Sequence, residues 1–204
     1  MHRSNRCVFL SHCLLAQLVR AKGLAKYFPG AVKPVIQFCL DNDINMMQMP
    51  CPESRCAAGG LRRDPHGKVW YERNGLREVA VRIATEQVDY MSELISAGYQ
   101  VLAIIGVEFS PACAVNYLNR GPIIQKDRGI FVEEIQRRLR ARKIKIPFIG
   151  VNQRALKKLD RQLKEMLSQG KNTVPVKVAP AVSDPLERGV DTPDAFVPLT
   201  SSAA

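Results

Sequence analysis

Three of the six cysteines share a context along the chain. Cys13 follows the apolar run 7–12, Cys51 follows the run 44–49, and Cys113 lies a few residues beyond the run 101–107. Thiolates are soft donors, and three that converge suit zinc or an iron–sulfur cluster. There is no C-x-x-C pair. The nearest spacing is Cys51-x4-Cys56, and the other candidates stand tens of residues apart, so a shared site would be assembled by the fold and not by a local knuckle. The competing reading for each thiol is a small buried hydrophobe, and Cys7 and Cys39, in or beside apolar runs, are read that way. Cys56 stands as a spare ligand candidate because of its nearness to Cys51.

The elements that must position these residues follow from hydrophobic pattern. Runs 7–12 (CVFLSH), 44–49 (INMMQM), 101–107 (VLAIIGV) and 146–151 (IPFIGV) lack alternation, which suits strands of a parallel sheet covered on both faces. Helical spacing separates them. Ile83, Met91, Leu94 and Ile95 recur within 79–97 ahead of Gly98 as a C-cap glycine, and Phe131, Ile135 and Leu139 repeat the pattern. A last helix is expected behind Asn152 as N-cap, with Leu156, Leu159, Leu163 and Met166 facing inward, ending at Gly170. The expected fold is therefore α/β, a single doubly wound, mostly parallel sheet domain with helices on both faces. In such a sheet the crevice outside the carboxyl ends of the strands binds ligands, so residues leaving three strands at that edge can meet.

With 204 residues the chain has room for one domain of ordinary size, expected over 1–170. Five of thirteen prolines fall within 171–204, which predicts a disordered, flexible Pro-rich tail there. The stretch 61–75 (LRRDPHGKVWYERNG) reads as a polar loop, a lid or substrate loop, with Arg62, Arg63 and Trp70 as contacts for a pyrimidine or phosphate. The net charge is +11, of which 137–164 carries +10, with eleven basic residues and the single acid Asp160. That run reads either as solvated helix faces or as a surface for an anionic partner such as nucleic acid. The N-terminal apolar run is interrupted by Ser11, His12 and Gln17, and no stretch reaches the length of a membrane span. The expected setting is cytoplasmic, with no membrane, where the thiols stay reduced and free for metal ligation or catalysis.

The ordered set Ser11-His12-Cys13-Leu14-Leu15, then Met49-Pro50-Cys51-Pro52-Glu53, then Glu108-Phe109-Ser110-Pro111-Ala112-Cys113 resembles the thiouracil desulfidase family, long catalogued as a domain of unknown function, and its group of related desulfidases. The resemblance runs from about Cys7 to Val151. It implies a 4Fe-4S cluster held by Cys13, Cys51 and Cys113, with one open iron left for substrate sulfur. It also implies hydrolytic, non-redox removal of sulfur from a thiocarbonyl compound such as a thiolated pyrimidine, releasing sulfide. On the matching positions Glu53 would activate the attacking water and Ser110 would orient substrate or water. Without the cluster, Glu53 reads as a helix-capping carboxylate and Ser110 as a helix-starting Ser-Pro. The chain departs from the family where relatives often carry Ser-Pro-Ser-Cys-Gly, having Ser110-Pro111-Ala112-Cys113-Ala114.

Two readings from other classes compete. One is a non-catalytic iron–sulfur sensor binding nucleic acid through the 137–164 face. The other is a zinc or thiol enzyme with Cys51 as nucleophile, for which the three histidines, His2, His12 and His66, leave few activating partners. His12 itself reads as a packed or hydrogen-bonding residue, and Glu108 as reaching the site or capping a turn. A nucleotide-binding glycine fingerprint is absent, since Gly59-Gly60 stands without the remaining glycines.

Overall fold

In the computed structural model, which describes residues 3–170, strand and helix alternate as the hydrophobic pattern demands. The order is β1 (Arg6–Ser11), α1 (His12–Leu15), a single 3-10 turn at Gln17–Val19, α2 (Lys33–Asp41), β2 (Asn45–Met49), α3 (Pro52–Arg55), α4 (Lys68–Arg73) and α5 (Leu76–Ser96). It continues with β3 (Gln100–Val107), β4 (Tyr117–Arg120), β5 (Ile123–Lys126), α6 (Ile130–Ala141), β6 (Phe148–Val151) and α7 (Leu156–Gly170). The tail expected over 171–204 lies outside the described residues.

Four strands form one sheet in the order β2-β1-β3-β6, every neighbouring pair parallel. Successive side chains point to opposite faces, so β1 sends Cys7 and Phe9 to one layer and Val8 and Leu10 to the other. The first layer is covered by α5 and α6 through Ile83, Met91, Phe131 and Ile135; the second by α2 and α7 through Val35, Leu159 and Leu163. This is the doubly wound arrangement expected from the runs. The chain passes from β1 out to β2 and then back across β1 to β3, so the order reverses between β1 and β3, where a crevice opens at the carboxyl edge.

Helix α5 stops as anticipated. Gly98, at φ +86°, gives its N–H to the Ile95 carbonyl and Tyr99 gives its N–H to that of Leu94, the two bonds of a Schellman cap. Other boundaries differ for local reasons. Strand β6 begins at Phe148 and not at Ile146, because Pro147 has no N–H to donate, although its carbonyl accepts from Ile104 at 2.9 Å. Asn152 does not cap α7 directly: its Oδ1 accepts the Arg154 N–H at 3.0 Å, and the resulting turn delays the helix to Leu156. The stretch 61–75 is not all loop, since Lys68–Arg73 forms α4. A β4–β5 hairpin turns at Gly121-Pro122, with Gly121 at φ +61°.

The basic run 137–164 does not form one face. It is divided between α6 on one side of the sheet and α7 on the other. Arg137 and Arg138 pair with Glu134, Arg142 with Asp89, Arg161 with Glu165 and Lys164 with Asp160. Among the described residues no helix is long and apolar enough to cross a membrane.

Candidate functional site

The carboxyl ends of all four parallel strands open on one cavity of about 450 Å³, lined by Cys13, Cys51 and Cys113 together with Glu53 and Ser110. That volume suits a small-molecule ligand. Each thiol arrives by a different local device. Cys13 stands in α1, which begins directly at the end of β1. Cys51 is the N-cap of the short α3, whose N1 residue Pro52 has the φ a first turn wants and no N–H to lose. Cys113 is placed by the β3 exit: Phe109 adopts φ +67°, which reverses the chain, and the Cys113 carbonyl then accepts the Val107 N–H at 3.1 Å. Gly106 makes that return possible, because a Cβ there would strike the Cys113 carbonyl. Gly59 does the same for the turn below Glu53, whose carbonyl would collide with a Cβ.

Glu53 and Ser110 meet although 57 residues separate them. The Ser110 hydroxyl donates to Glu53 Oε1 at 2.9 Å, while Ser110 Oγ accepts the Cys113 N–H at 3.0 Å. Ser110 therefore caps the turn that carries a thiol and contacts the carboxylate at once. The other oxygen, Oε2, accepts from Arg63 Nη2 at 2.9 Å, and both side chains of this ion pair are buried. Arg63 also donates to Tyr71 Oη at 3.0 Å and to the carbonyls of Val19 and Gly60 at 2.8 and 2.9 Å. A fork with four acceptors in place holds the carboxylate in one orientation.

The electrostatics bear on what the thiols can hold. Burial pushes the Cys13 thiol up to about 12, with Cys51 and Glu53 adding to the rise and Arg20 opposing it. Burial also lifts Cys113 well above the usual thiol range, with Cys13 and Cys51 adding, and raises Cys51, with Glu53 adding. Cys13 thus senses Cys51, and Cys113 senses both. Three thiolates beside a carboxylate would leave an uncompensated negative cluster that a cationic group relieves, and soft sulfur donors fit an iron–sulfur group. Among the described residues no three His, Cys, Asp or Glu side chains converge as ligands of a single metal ion. A polynuclear cluster takes its cysteines on separate irons, so its ligands need not converge on one point.

The remaining candidates sort clearly. Cys56 is buried, donates its Sγ–H to the Asn74 carbonyl at 3.1 Å and is not among the residues that line the cavity. Cys7 and Cys39 pack in the two core layers. His12 lines the cavity with its pKa lowered by burial and by Arg55. Glu108 closes its own loop, accepting the N–H groups of Asn116 and Tyr117 at 3.1 and 3.0 Å, and lines the cavity as well. Arg62 and Trp70 do not line it; the Trp70 ring stacks on His66 with centroids 3.8 Å apart. Arg63 lines the cavity, but its guanidinium serves Glu53.

Two buried polar cavity residues escaped the sequence reading. Ser11 Oγ is buried without a hydrogen bond of ordinary geometry, although it stands close enough to Cys113 to favour its thiolate. Gln153 is buried with neither amide atom bonded. Unpaired buried groups of this kind cost about 1–3 kcal/mol each. The available signal was position: Ser11 ends the first strand and Gln153 follows the fourth by two residues, on the ligand-binding edge.

No family model matches the chain. It is 29% identical over 132 residues, 65% of this chain and 76% of the other, to the uncharacterized protein MJ0003 of Methanocaldococcus jannaschii. Among solved structures it is similar to a 4Fe-4S-dependent thiouracil desulfidase, TudS, at a TM-score of 0.47 and 16% identity, over 78% of this chain and 99% of that one.

Proposed function

We propose that this chain is an iron–sulfur-dependent desulfidase that converts a thiocarbonyl compound and water into the oxo compound and hydrogen sulfide, acting on a small thiolated substrate such as a thiopyrimidine. The observation that carries the reading is the cavity at the carboxyl edge, where the cysteines that follow three neighbouring strands line the same space as a hydrogen-bonded Glu53–Ser110 pair. The motif resemblance and the similarity to a desulfidase of known structure support it.

In this reading Cys13, Cys51 and Cys113 hold a 4Fe-4S cluster as thiolates, their protons leaving as the group is installed. When bound, the cluster supplies an open iron, a Lewis acid that prefers thiocarbonyl sulfur to carbonyl oxygen. Glu53 Oε1 takes a proton from the attacking water, Arg63 supplying the counter-charge from the other side of the carboxylate. Ser110 Oγ is pinned by the Cys113 N–H, so only its proton can turn. It points to Glu53 at rest and is free for substrate once Glu53 has taken up a proton. Val107 and Val151 give the cavity apolar wall beside the strand ends.

The test is iron and acid-labile sulfide per chain after anaerobic reconstitution, followed by sulfide release from thiolated bases and nucleosides. Cys13→Ala, Cys51→Ala and Cys113→Ala should each lose the cluster, and Cys56→Ala should retain it. Glu53→Gln should retain the cluster and lose about 10²–10⁴ in rate. A fully loaded protein that releases no sulfide from the whole panel overturns the activity; failure to take up iron overturns the cofactor.

A further inference from the structure

Gln153 is 9% exposed, lines the cavity, and has neither Oε1 nor Nε2 hydrogen-bonded. Among the described residues only Ser11, Gln17 and Gln153 carry buried side-chain polar atoms without partners, and Gln17 still donates its Nε2 to the Cys13 carbonyl at 2.7 Å. Gln153 alone keeps both halves of a carboxamide free. Such a group is ordinarily bonded when buried, so one left open on a ligand-sized cavity points to a partner that arrives from outside.

The backbone around it is fixed. Val151, at the end of β6, gives its carbonyl to the Glu108 N–H at 3.0 Å, and the Asn152–Arg154 turn closes on the other side. The amide is therefore presented from a hydrogen-bonded turn that directly follows the end of β6.

From this we infer that Gln153 reads the ring edge of the ligand, pairing its Oε1 with an unsubstituted ring N–H and its Nε2 with the adjacent ring carbonyl or thiocarbonyl. A planar carboxamide has its acceptor and donor side by side, which matches the cis N–H and C=X of a cyclic lactam, imide or thiolactam. The class selected is a flat heterocycle with at least one free lactam edge. A secondary acyclic thioamide, whose trans N–H and C=S point in opposite directions, is disfavoured. The inference deepens the proposed desulfidase reading by adding the residue that chooses among thiocarbonyl compounds, and it rests on that reading only for the identity of the reacting group.

The experiment is calorimetric binding of uracil, 1-methyluracil and 3-methyluracil to anaerobically reconstituted parent, Gln153→Met and Gln153→Glu. Met keeps the volume without the amide; Glu keeps the shape without the N–H donors. The parent should bind uracil and lose about tenfold to a hundredfold in affinity for at least one methylated base. Gln153→Met should bind all three bases equally and weakly. Gln153→Glu, the variant to read if Met lowers the melting temperature, should bind uracil at least tenfold less tightly than the parent. Equal binding of all three bases by the parent overturns the inference, as does unchanged discrimination in both variants or no uracil binding at all. Sulfide release is measured in parallel. Its absence with discrimination intact sinks the desulfidase reading alone, and its presence with discrimination unaffected by Gln153 sinks this inference alone.

Discussion

Cys13, Cys51 and Cys113 differ from Cys7, Cys39 and Cys56 less in burial than in company. Cys51 and Cys113 are about as buried as Cys7 and Cys56, so accessibility does not separate the groups. Cys7 and Cys39 each have pKa values near 11 from burial alone, with no other charged group involved. At the carboxyl edge burial is joined by neighbouring charge: Cys51 raises Cys13, Cys13 and Cys51 raise Cys113, and Glu53 raises all three. A thiol inside the sheet layers is a packing atom; a thiol just past a strand end can share its surroundings with thiols from neighbouring strands.

The largest test of this division is cluster loading. Alanine at any of the three edge positions should abolish it, whereas alanine at Cys7 or Cys39 should leave iron content unchanged and lower stability by about 1 kcal/mol; metal analysis beside chemical denaturation separates the outcomes. Equal iron loss in both groups would erase the distinction. Next in size is Arg63→Met, which leaves Glu53 buried without its counter-charge and should cost about 3–5 kcal/mol by denaturant unfolding. Arg63→Lys should recover only part of that, because an ammonium cannot serve the same four acceptors.

Gly106→Ala pushes against the Cys113 carbonyl and should destabilise by up to about 3 kcal/mol while reducing iron uptake. A core effect without loss of iron would mean that the loop can shift and keep its thiol in place. The smallest effect belongs to Cys39. Its folded pKa, near 11, lies above the ordinary 9.0, so its contribution is whole below pH 9 and is lost as pH rises toward 11, where the unfolded chain gives up its proton first. Cys39→Val should match the parent near pH 7 and keep about 2 kcal/mol more stability at pH 11, read from melting temperatures across that window.

Much of this was legible in the chain. Four apolar runs without alternation specify parallel strands; the central β1 and β3 are buried on both faces as expected, whereas β2, at the sheet edge, leaves Asn45 and Gln48 exposed. Gly98 announced the end of α5 through the left-handed cap that glycine alone adopts cheaply. The stretch 61–75 was harder, since its polar composition concealed α4, whose Tyr71 is held by tertiary contact with Arg63. The basic run misled for a related reason: charge summed along the chain ignores that α6 and α7 lie on opposite sides of the sheet.

By itself the sequence determined the alternation of strand and helix and the placement of three cysteines just beyond three strand ends, both consequences of local pattern. Only the tertiary structure decided the strand order, which brings those ends to one crevice, the turning away of Cys56 toward the Asn74 carbonyl, and the closure of Arg63 on Glu53. It also left Gln153 buried and unpaired. The physical reason is that partners separated by tens of residues are chosen by packing of whole layers, and spacing along a chain carries no record of which strand lies beside which.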